Sequence, residues 1–308
     1  MSLPTARGAA PRAAKERTAR QRRAAATGAL MVAPSTLVIA VFFLAPLVLT
    51  VWMSLHDWPL FGEQTFTGLD NYKDALTDAE VWHALGFTTL YTVITTIVIF
   101  AVAFGLAFLV RSERPGVGLF RTAMFLPVVV GMAASALLWS ALYSPQGGTI
   151  PQLLSDLHLV TDPGSPFTAY WPALFAVVVM VVWKTAGLTM VLLVVGMQSI
   201  PAEVYEAAAL DGAGKVAVFR RITLPLMRRT LALAVVLSVT GSYLAFDQFY
   251  ILTHGGPGLS TMTVVSTIYR TAFVSYRLGY AAAIAVLLLV LLAVLNTVQL
   301  RVLRREGR

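Results

Sequence analysis

The chain of 308 residues contains no cysteine. This absence excludes a disulfide framework, a cysteine-ligated zinc site and a thiol nucleophile. Charge is also scarce, because Asp, Glu, Lys and Arg make up only 12% of the residues, whereas soluble domains carry about 25%. Apolar residues account for 57%, which indicates a membrane protein. The net charge of +8 does not indicate nucleic-acid binding, because the basic residues flank apolar runs.

Six apolar segments reach the length of about 20 residues that a membrane-spanning helix needs. They are 30–52, 87–110, 122–143, 170–197, 231–252 and 278–300. Their only residues of fixed charge are Lys184 and Asp247. We therefore predict an all-α polytopic membrane protein with six transmembrane helices. The predicted parts are a solvated, disordered basic tail (1–28), a transmembrane domain (29–302) and a short C-terminal stretch (303–308).

The basic residues are distributed unequally between the two sides that these spans define. Nineteen of them lie in the tail, in the loops after the second and fourth spans and after the sixth span, whereas three, Lys73, Arg270 and Arg277, lie in the opposite loops. Because basic loops stay in the cytoplasm, we predict that both termini are cytoplasmic in a bacterial inner membrane. The first apolar run is too long for a typical secretory signal, so we interpret it as an uncleaved anchor. The outer loops predict an interfacial helix within 66–85 and a short helix at 150–157.

A charged, glycine-interrupted segment, "YEAAALDGAGKVAVFRRITLPLMRR", separates the fourth and fifth spans. Its first part, 202–210, is rich in helix-forming residues. Gly212 and Gly214 then permit a turn. We expect a second helix at 216–222, which ends there because Pro225 disfavours helix at the residue before it. A phosphate-binding loop is excluded for "GAGKVAV", because Ala209 stands at the first glycine position and Val216 follows the lysine.

The spacing of this segment resembles the motif E-A-A, three residues, G, nine residues, I-x-L-P. Here it runs from Glu206-Ala207-Ala208 through Gly212 to Ile222-Thr223-Leu224-Pro225. With "FTGLDNYKDAL", "FDQFYILTHGGPGLSTMT" and "LGYAAAIAVLLLV", the chain is similar to permease subunits of ATP-binding-cassette (ABC) importers of the carbohydrate type. The resemblance implies a type I ABC importer permease fold and half of a translocation pore.

The same resemblance implies that the segment 198–229 is a coupling loop that docks on an ATPase subunit. The implied coupling residues are Glu203, Glu206, Ala207, Ala208, Asp211, Gly212, Gly214 and Phe219. The implied partners are a second homologous permease, two ATP-binding subunits, and an extracytoplasmic sugar-binding protein or lipoprotein. ATP and Mg would reside on the ATPase subunits, and this chain would carry no cofactor. Without the resemblance, the segment could be an ordinary amphipathic connector.

Ionisable residues within spans are candidates for function. Aromatic and hydrogen-bonding side chains suited to a sugar surround these charges, and we assign the substrate pathway to Trp183, Lys184, Tyr243, Phe246, Asp247 and Gln248. The alternative is structural: Lys184 and Asp247 could neutralise each other or a charge on another subunit, and the aromatic residues could pack or form an interfacial belt.

The outer loop before the sixth span contains Gly255, Gly256, Pro257 and Gly258, which predict a tight, exposed turn. The resemblance assigns this loop to the face that meets the binding protein, and a plain hairpin is the alternative. The four histidines show no metal-ligand spacing.

The competing interpretation is a secondary transporter or channel for a small polar solute. Such proteins often carry ion-coupling groups near broken helices, together with inverted repeats, and neither is evident in the sequence. An intramembrane enzyme would need paired catalytic groups, which one Lys and one Asp on separate spans do not supply. The solute stays open among trehalose, maltose, oligosaccharides and glycerol phosphate, with a di- or oligosaccharide favoured.

Overall fold

The computed structural model describes residues 27–111, 115–158 and 164–305, with the side chains of 303–305 left out. Most of the predicted basic tail and the last three residues therefore lie outside the described residues. The chain divides into two compact units, Met1–Met53 and Ser54–Arg308, which are described separately.

The first unit contributes the long apolar helix α1, Thr27–Ser54, whose last residue belongs to the second unit. The helix has a π-helical turn at Ala40–Leu44, and it matches the first predicted span. The hydroxyls of Thr36 and Thr50 donate to carbonyls one turn earlier. Because these hydroxyls are satisfied within the helix, they are tolerated on a surface that faces lipid.

The second unit begins with an antiparallel pair of strands, β1 (His56–Asp57) and β2 (Thr65–Phe66). Helix α2 follows at Asp70–Thr77 and confirms a helix within 66–85, while its interfacial location stays a prediction. The rest of that predicted segment belongs to α3, Ala79–Val110, which is longer than the predicted second span. Asp78 caps α3, because its carboxylate accepts a hydrogen bond of 2.8 Å from the Glu80 amide.

The remaining elements are almost all helical. They are α4 (Val117–Val129), α5 (Met132–Leu142), α6 (Thr149–Asp156), a 3-10 turn (Pro166–Thr168), α7 (Tyr170–Gln198), α8 (Ala202–Leu210), α9 (Lys215–Leu226), α10 (Arg228–Tyr243), α11 (Asp247–Leu252), α12 (Val264–Phe273) and α13 (Leu278–Arg305). The short helix predicted at 150–157 is confirmed as α6.

Among the described residues, four helices are long and apolar enough to cross a membrane: α1, α3, α7 and α13. The number rises to six if the bent pairs α4–α5 and α9–α10 each count as one span. The prediction of a continuous third span was wrong, since α4 and α5 meet at 98°. Pro127 lacks an amide hydrogen, and Gly131 is extended at ψ 150°, so the helix cannot continue through this point.

The prediction of a continuous fifth span was also wrong, because residues 244–246 separate α10 from α11. Broken helices, which we expected of a secondary transporter, therefore occur at three points in the described part of the chain: between α4 and α5, between α9 and α10, and at 244–246. Their presence does not by itself favour that competing interpretation.

The interior of the second unit consists of three apolar clusters around α3. One joins α3 to α5, α7 and α11 through Tyr91 and Phe249. The second joins the start of α3 to α10, α12 and α13. The third joins the ends of α3 and α7 to Met227, next to the segment 198–229. Helices α4 and α7 approach closely at Gly187, where a Cβ atom would overlap the Met124 carbonyl.

Candidate functional site

The charged segment after α7 folds into two short helices joined by a tight turn. Helix α8 ends in a Schellman motif: the Gly212 amide donates to the Ala209 carbonyl at 3.1 Å, and the Ala213 amide donates to the Ala208 carbonyl at 2.9 Å. This motif requires a left-handed residue, and Gly212 supplies it with φ +71°. Gly212 therefore fixes the angle at which the chain leaves α8.

Two details of this segment differ from the prediction. Gly214 has an ordinary extended conformation with no atom crowding its α-carbon, so the turn does not require a glycine there. Helix α9 does not stop before Pro225 but continues to Leu226. A π-helical turn at Phe219–Thr223 makes this possible, since the Leu224 amide reaches back to the Phe219 carbonyl. The wider turn accommodates a proline that has no amide hydrogen to donate.

The predicted coupling residues divide into an exposed and a buried set. Glu203, Glu206, Ala207 and Asp211 are exposed, whereas Ala208 is buried. Leu210 and Val216, which the sequence analysis did not select, are 90% and 70% exposed. They were missed because single apolar residues in a short amphipathic segment do not indicate which of them face outward. Carboxylates and apolar side chains thus share one surface.

Phe219 points inward. Its ring makes edge contacts with Phe104 and Phe108 of α3, with centroids 5.4 and 5.5 Å apart. The Tyr205 hydroxyl lies 3.3 Å from the Thr223 hydroxyl and connects α8 to α9. Phe219 therefore attaches the segment to α3.

Lys184 lies on α7 and faces the break between α4 and α5. Its ammonium donates to the carbonyls of Pro127 and Val128 at 3.4 Å, and to that of Val130. These carbonyls terminate α4, where a cation is favourable. Lys184 is buried and does not pair with Asp247, so the alternative that these two charges neutralise each other does not hold within this subunit. Its neighbour Trp183 contacts Trp139 with ring centroids 5.7 Å apart.

The predicted pathway residues of the fifth span lie around the break at 244–246. Buried Tyr243 shares a hydrogen bond of 3.0 Å with Thr89 of α3. Gln248 is also buried, and its amide nitrogen donates to the Tyr91 hydroxyl at 3.3 Å. Asp247 is half-buried in the first turn of α11, and Phe246 precedes it. The structure thus separates two inward-facing residues, Tyr243 and Gln248, from two less buried ones.

Gln248 and Tyr91 line a cavity of about 130 Å³ between α3, α5, α7, α10 and α11. Thr185, Thr189, Ser238 and Ser242 add hydroxyls to its otherwise apolar wall. Tyr91 was not predicted, because a single tyrosine in an apolar span has no pattern that distinguishes it from a packing residue. Neither Lys184 nor Asp247 lines this cavity.

The loop before α12 is a compact turn held by threonines. The Thr261 hydroxyl lies 2.9 Å from that of Thr253 and 2.6 Å from the Gly256 carbonyl. Of the four predicted contact residues only Gly258 is exposed, while Gly255 is buried and Gly256 and Pro257 are half-buried. The expectation of a fully exposed turn was wrong, because the chain folds back over Gly255.

The N-terminal end of α3 carries a polar cluster. The Tyr280 hydroxyl donates to the Asp78 carboxylate at 2.7 Å, and Arg270 pairs with Glu80 at 2.9 Å. The hydrogen bond from Tyr280 lowers the pKa of Asp78, with smaller contributions from backbone amides and Arg277, against the opposing effect of burial. In the described part of the chain, no group of three or more His, Asp or Glu residues is arranged to hold a metal ion.

Residues 27–308 match the family described as the binding-protein-dependent transport system inner membrane component. The chain belongs to this family. The match confirms the predicted role as a membrane transport subunit and, at that level, the predicted inner-membrane location.

Relatives in the binding-protein-dependent transport family cover most of the chain. The trehalose/maltose permease MalF of Thermococcus litoralis is 34% identical over 286 residues, 91% of this chain and 94% of its own. The glycerol-3-phosphate permease UgpA of Escherichia coli is 33% identical over 291 residues, again 91% and 94%. The probable ABC transporter permease YurN of Bacillus subtilis is 36% identical over 278 residues, 86% and 92%.

A solved structure supports the fold. The chain superimposes on a bacterial ABC transporter that imports the acidic polysaccharide alginate with a TM-score of 0.81, at 20% identity, covering 95% of this chain and 100% of the other. The predicted type I importer permease fold is therefore confirmed.

Proposed function

We propose that this chain is one permease subunit of an ATP-driven, binding-protein-dependent sugar importer of the bacterial inner membrane. The single observation that carries the proposal is the segment 198–229. Its ordered helix–turn–helix exposes Glu203, Glu206 and Leu210 while Phe219 attaches it to α3. A partner that binds the exposed side chains can move α3 through the contacts of the Phe219 ring.

The partner on that face is an ATPase subunit. Carboxylates with adjacent exposed apolar side chains suit a basic, partly apolar cleft, and Ala207 allows close approach. ATP and Mg reside on two such subunits, which drive opening and closing of a pore formed with a second, similar permease. The absence of a phosphate-binding loop from this sequence is consistent with this division of labour.

The orientation follows from the basic residues. Both termini and the segment 198–229 lie in the cytoplasm, because nineteen basic residues fall on that side. The threonine-held turn around Gly258 then faces outward, where a sugar-binding protein or lipoprotein docks. Gly258 and Leu259 are its exposed tip.

The solute is a sugar, as the name of the trehalose/maltose relative supports. The pathway passes near the interrupted fifth span, where Asp247 and aromatic rings lie outside the packed core. Lys184 has a structural role, since its ammonium is engaged by carbonyls.

The proposal is tested by reconstituting this permease with its genomic partners, the second permease, the ATPase and the binding protein, in vesicles. We expect uptake of a labelled sugar that requires both ATP and the binding protein, and that continues when ion gradients are dissipated. Uptake driven by an ion gradient without ATP would instead support the secondary transporter.

A further inference from the structure

Four aromatic rings form a continuous row beside Asp247. Phe246 and Tyr250 of α11 stack with centroids 5.1 Å apart and an angle of 22° between their planes. Tyr269 of α12 contacts both, at 5.1 and 5.4 Å, and Phe273 lies 5.2 Å beyond Tyr269. We name Phe246, Tyr250, Tyr269 and Phe273 the aromatic stripe. All four rings are at least partly exposed.

The chemistry of the aromatic stripe differs from that of a lipid-facing surface. Elsewhere the exposed apolar side chains of the long helices are mainly Leu and Val. The stripe instead carries two phenol groups and adjoins Asp247, which lies three residues before Tyr250 on the same side of α11. No hydrogen-bond or ion-pair partner of the Asp247 side chain lies among the residues that the structure describes. An ionisable group so placed in a membrane protein indicates a solute pathway.

A rigid frame holds the stripe. The Thr263 hydroxyl donates to the Ala245 carbonyl at 2.7 Å and joins the start of α12 to the break before α11. The Val264 amide donates to the Thr88 hydroxyl at 3.0 Å and fixes α12 on α3. Because these bonds are buried, the four rings keep their relative positions without a ligand, which lowers the entropy that binding would cost.

Two kinds of group meet at this surface. The face of a pyranose ring presents C–H groups that pack on an aromatic ring, while its hydroxyl edge donates to a carboxylate in strong, charge-assisted hydrogen bonds. The stripe with Asp247 provides both. Neither cation forms an ion pair with Asp247, since Lys184 donates to main-chain carbonyls and Arg270 pairs with Glu80.

We propose that the aromatic stripe and Asp247 form an outer sugar-binding surface of the translocation pathway, selective for neutral ring-form sugars over anionic solutes such as glycerol phosphate. This inference rests on the proposed function and specifies its substrate class. The uncompensated carboxylate repels an anion, and an acyclic solute offers the rings no face to pack against.

The test uses the complete complex with its own binding protein in vesicles. ATP-driven uptake of labelled trehalose, maltose and sn-glycerol 3-phosphate is compared for the wild type and for Tyr250→Leu, Tyr269→Leu and Asp247→Asn. The matched control is Trp171→Leu, an exposed ring stacked on Phe175 of α7, away from the stripe. Recovery of the second permease with each variant is measured in parallel.

We expect uptake of a disaccharide and none of glycerol phosphate. At limiting solute, Tyr250→Leu and Tyr269→Leu should each lower uptake about fivefold or more, the scale of losing one aromatic contact. Asp247→Asn should lower uptake similarly, because it weakens the charge-assisted hydrogen bonds, while the control stays within about twofold of the wild type. Recovery of the second permease should be unchanged.

Three results would overturn the inference while leaving ATP-driven import intact. The first is efficient uptake of glycerol phosphate, and the second is equal uptake by the three variants and the Trp171→Leu control. The third is loss of the second permease from the three variants, which would make the stripe a subunit interface. Failure of the wild type to import any sugar with ATP and the binding protein would contradict the proposed function itself and the inference with it.

Discussion

The ammonium of Lys184 in α7 donates a hydrogen bond to the carbonyl of Val130, at the point where α4 ends and the chain turns through 98° into α5. Lys184 thus caps the C-terminal end of α4 from a different helix. The carbonyls of Pro127 and Val128 share the same ammonium. The interrupted third span therefore depends on a contact between two different helices.

Replacement of Lys184 by Met should destabilise the protein, because the part-buried carbonyls at the end of α4 lose their donor. We expect a loss of about 1–3 kcal/mol in the free energy of unfolding, the usual cost of an unsatisfied buried group. Thermal unfolding of the purified complex measures it. Lys73→Met is the control, since that exposed lysine pairs only with Asp70 in α2. An unchanged midpoint for Lys184→Met would show that the contact does not stabilise the break.

The turn after α8 offers a matched pair of glycines. Gly212→Ala should strain the left-handed residue of the Schellman motif by about 1–2 kcal/mol, whereas Gly214→Ala should have little effect. Limited proteolysis between α8 and α9, together with ATP-driven uptake, reports the difference. Equal sensitivity of the two variants would mean that the motif does not govern the geometry of the segment.

The polar cluster at the N-terminal end of α3 predicts a pH dependence. The folded protein holds the pKa of Asp78 below its ordinary value, so the carboxylate is more readily ionised in the folded state than in the unfolded state. Its stabilising effect is complete above the unfolded pKa of about 3.9 and is lost as the pH falls through the folded pKa.

Asp78→Asn should consequently lower the thermal midpoint at pH 7 and reduce the additional loss below about pH 4. The Tyr280→Phe variant removes the principal hydrogen bond and should reproduce part of this effect. Identical acid unfolding profiles for the wild type and Asp78→Asn would contradict the assignment.

The orientation of the chain is testable because the native sequence has no cysteine. Gln64→Cys, exposed in the hairpin between β1 and β2, should react with an impermeant thiol reagent added outside intact cells. Ala209→Cys, exposed on α8, should react only after the cells are opened. The reverse pattern would invert the topology inferred from the basic residues.

The sequence allowed some of these features to be predicted and not others. The long apolar runs predict α3, α7 and α13, because a membrane helix must satisfy its backbone internally and needs a fixed length. Residues 244–246 include no proline or glycine, so the sequence does not indicate a break there. The partner of Lys184 is a main-chain group, so no second residue type marks the contact. Tyr91 acquires its role only through Gln248, more than a hundred positions away. Tyr269 acquires its role only through contact with Phe246 on another helix.

The central proposal for this chain is that the segment 198–229 transmits the action of an ATPase subunit to the membrane helices. Glu206 and Ala207 are exposed side by side on α8. Removing one partner of a buried, hydrogen-bonded charge pair costs about 2–5 kcal/mol, so charge reversal in Glu206→Lys should weaken docking strongly. In Ala207→Trp, a bulky ring should prevent close approach of the two surfaces.

The direct measurement is co-purification of the ATPase with these two variants, alongside ATP-driven uptake in vesicles. Glu63→Lys, in the hairpin between β1 and β2, is the charge-matched control for ATPase recovery. We predict that both segment variants insert normally into the membrane, recover little ATPase and lose uptake, while the control recovers the ATPase at the wild-type level. Wild-type recovery of the ATPase together with wild-type uptake in Glu206→Lys and Ala207→Trp would contradict the account and make the segment a charged connector between spans.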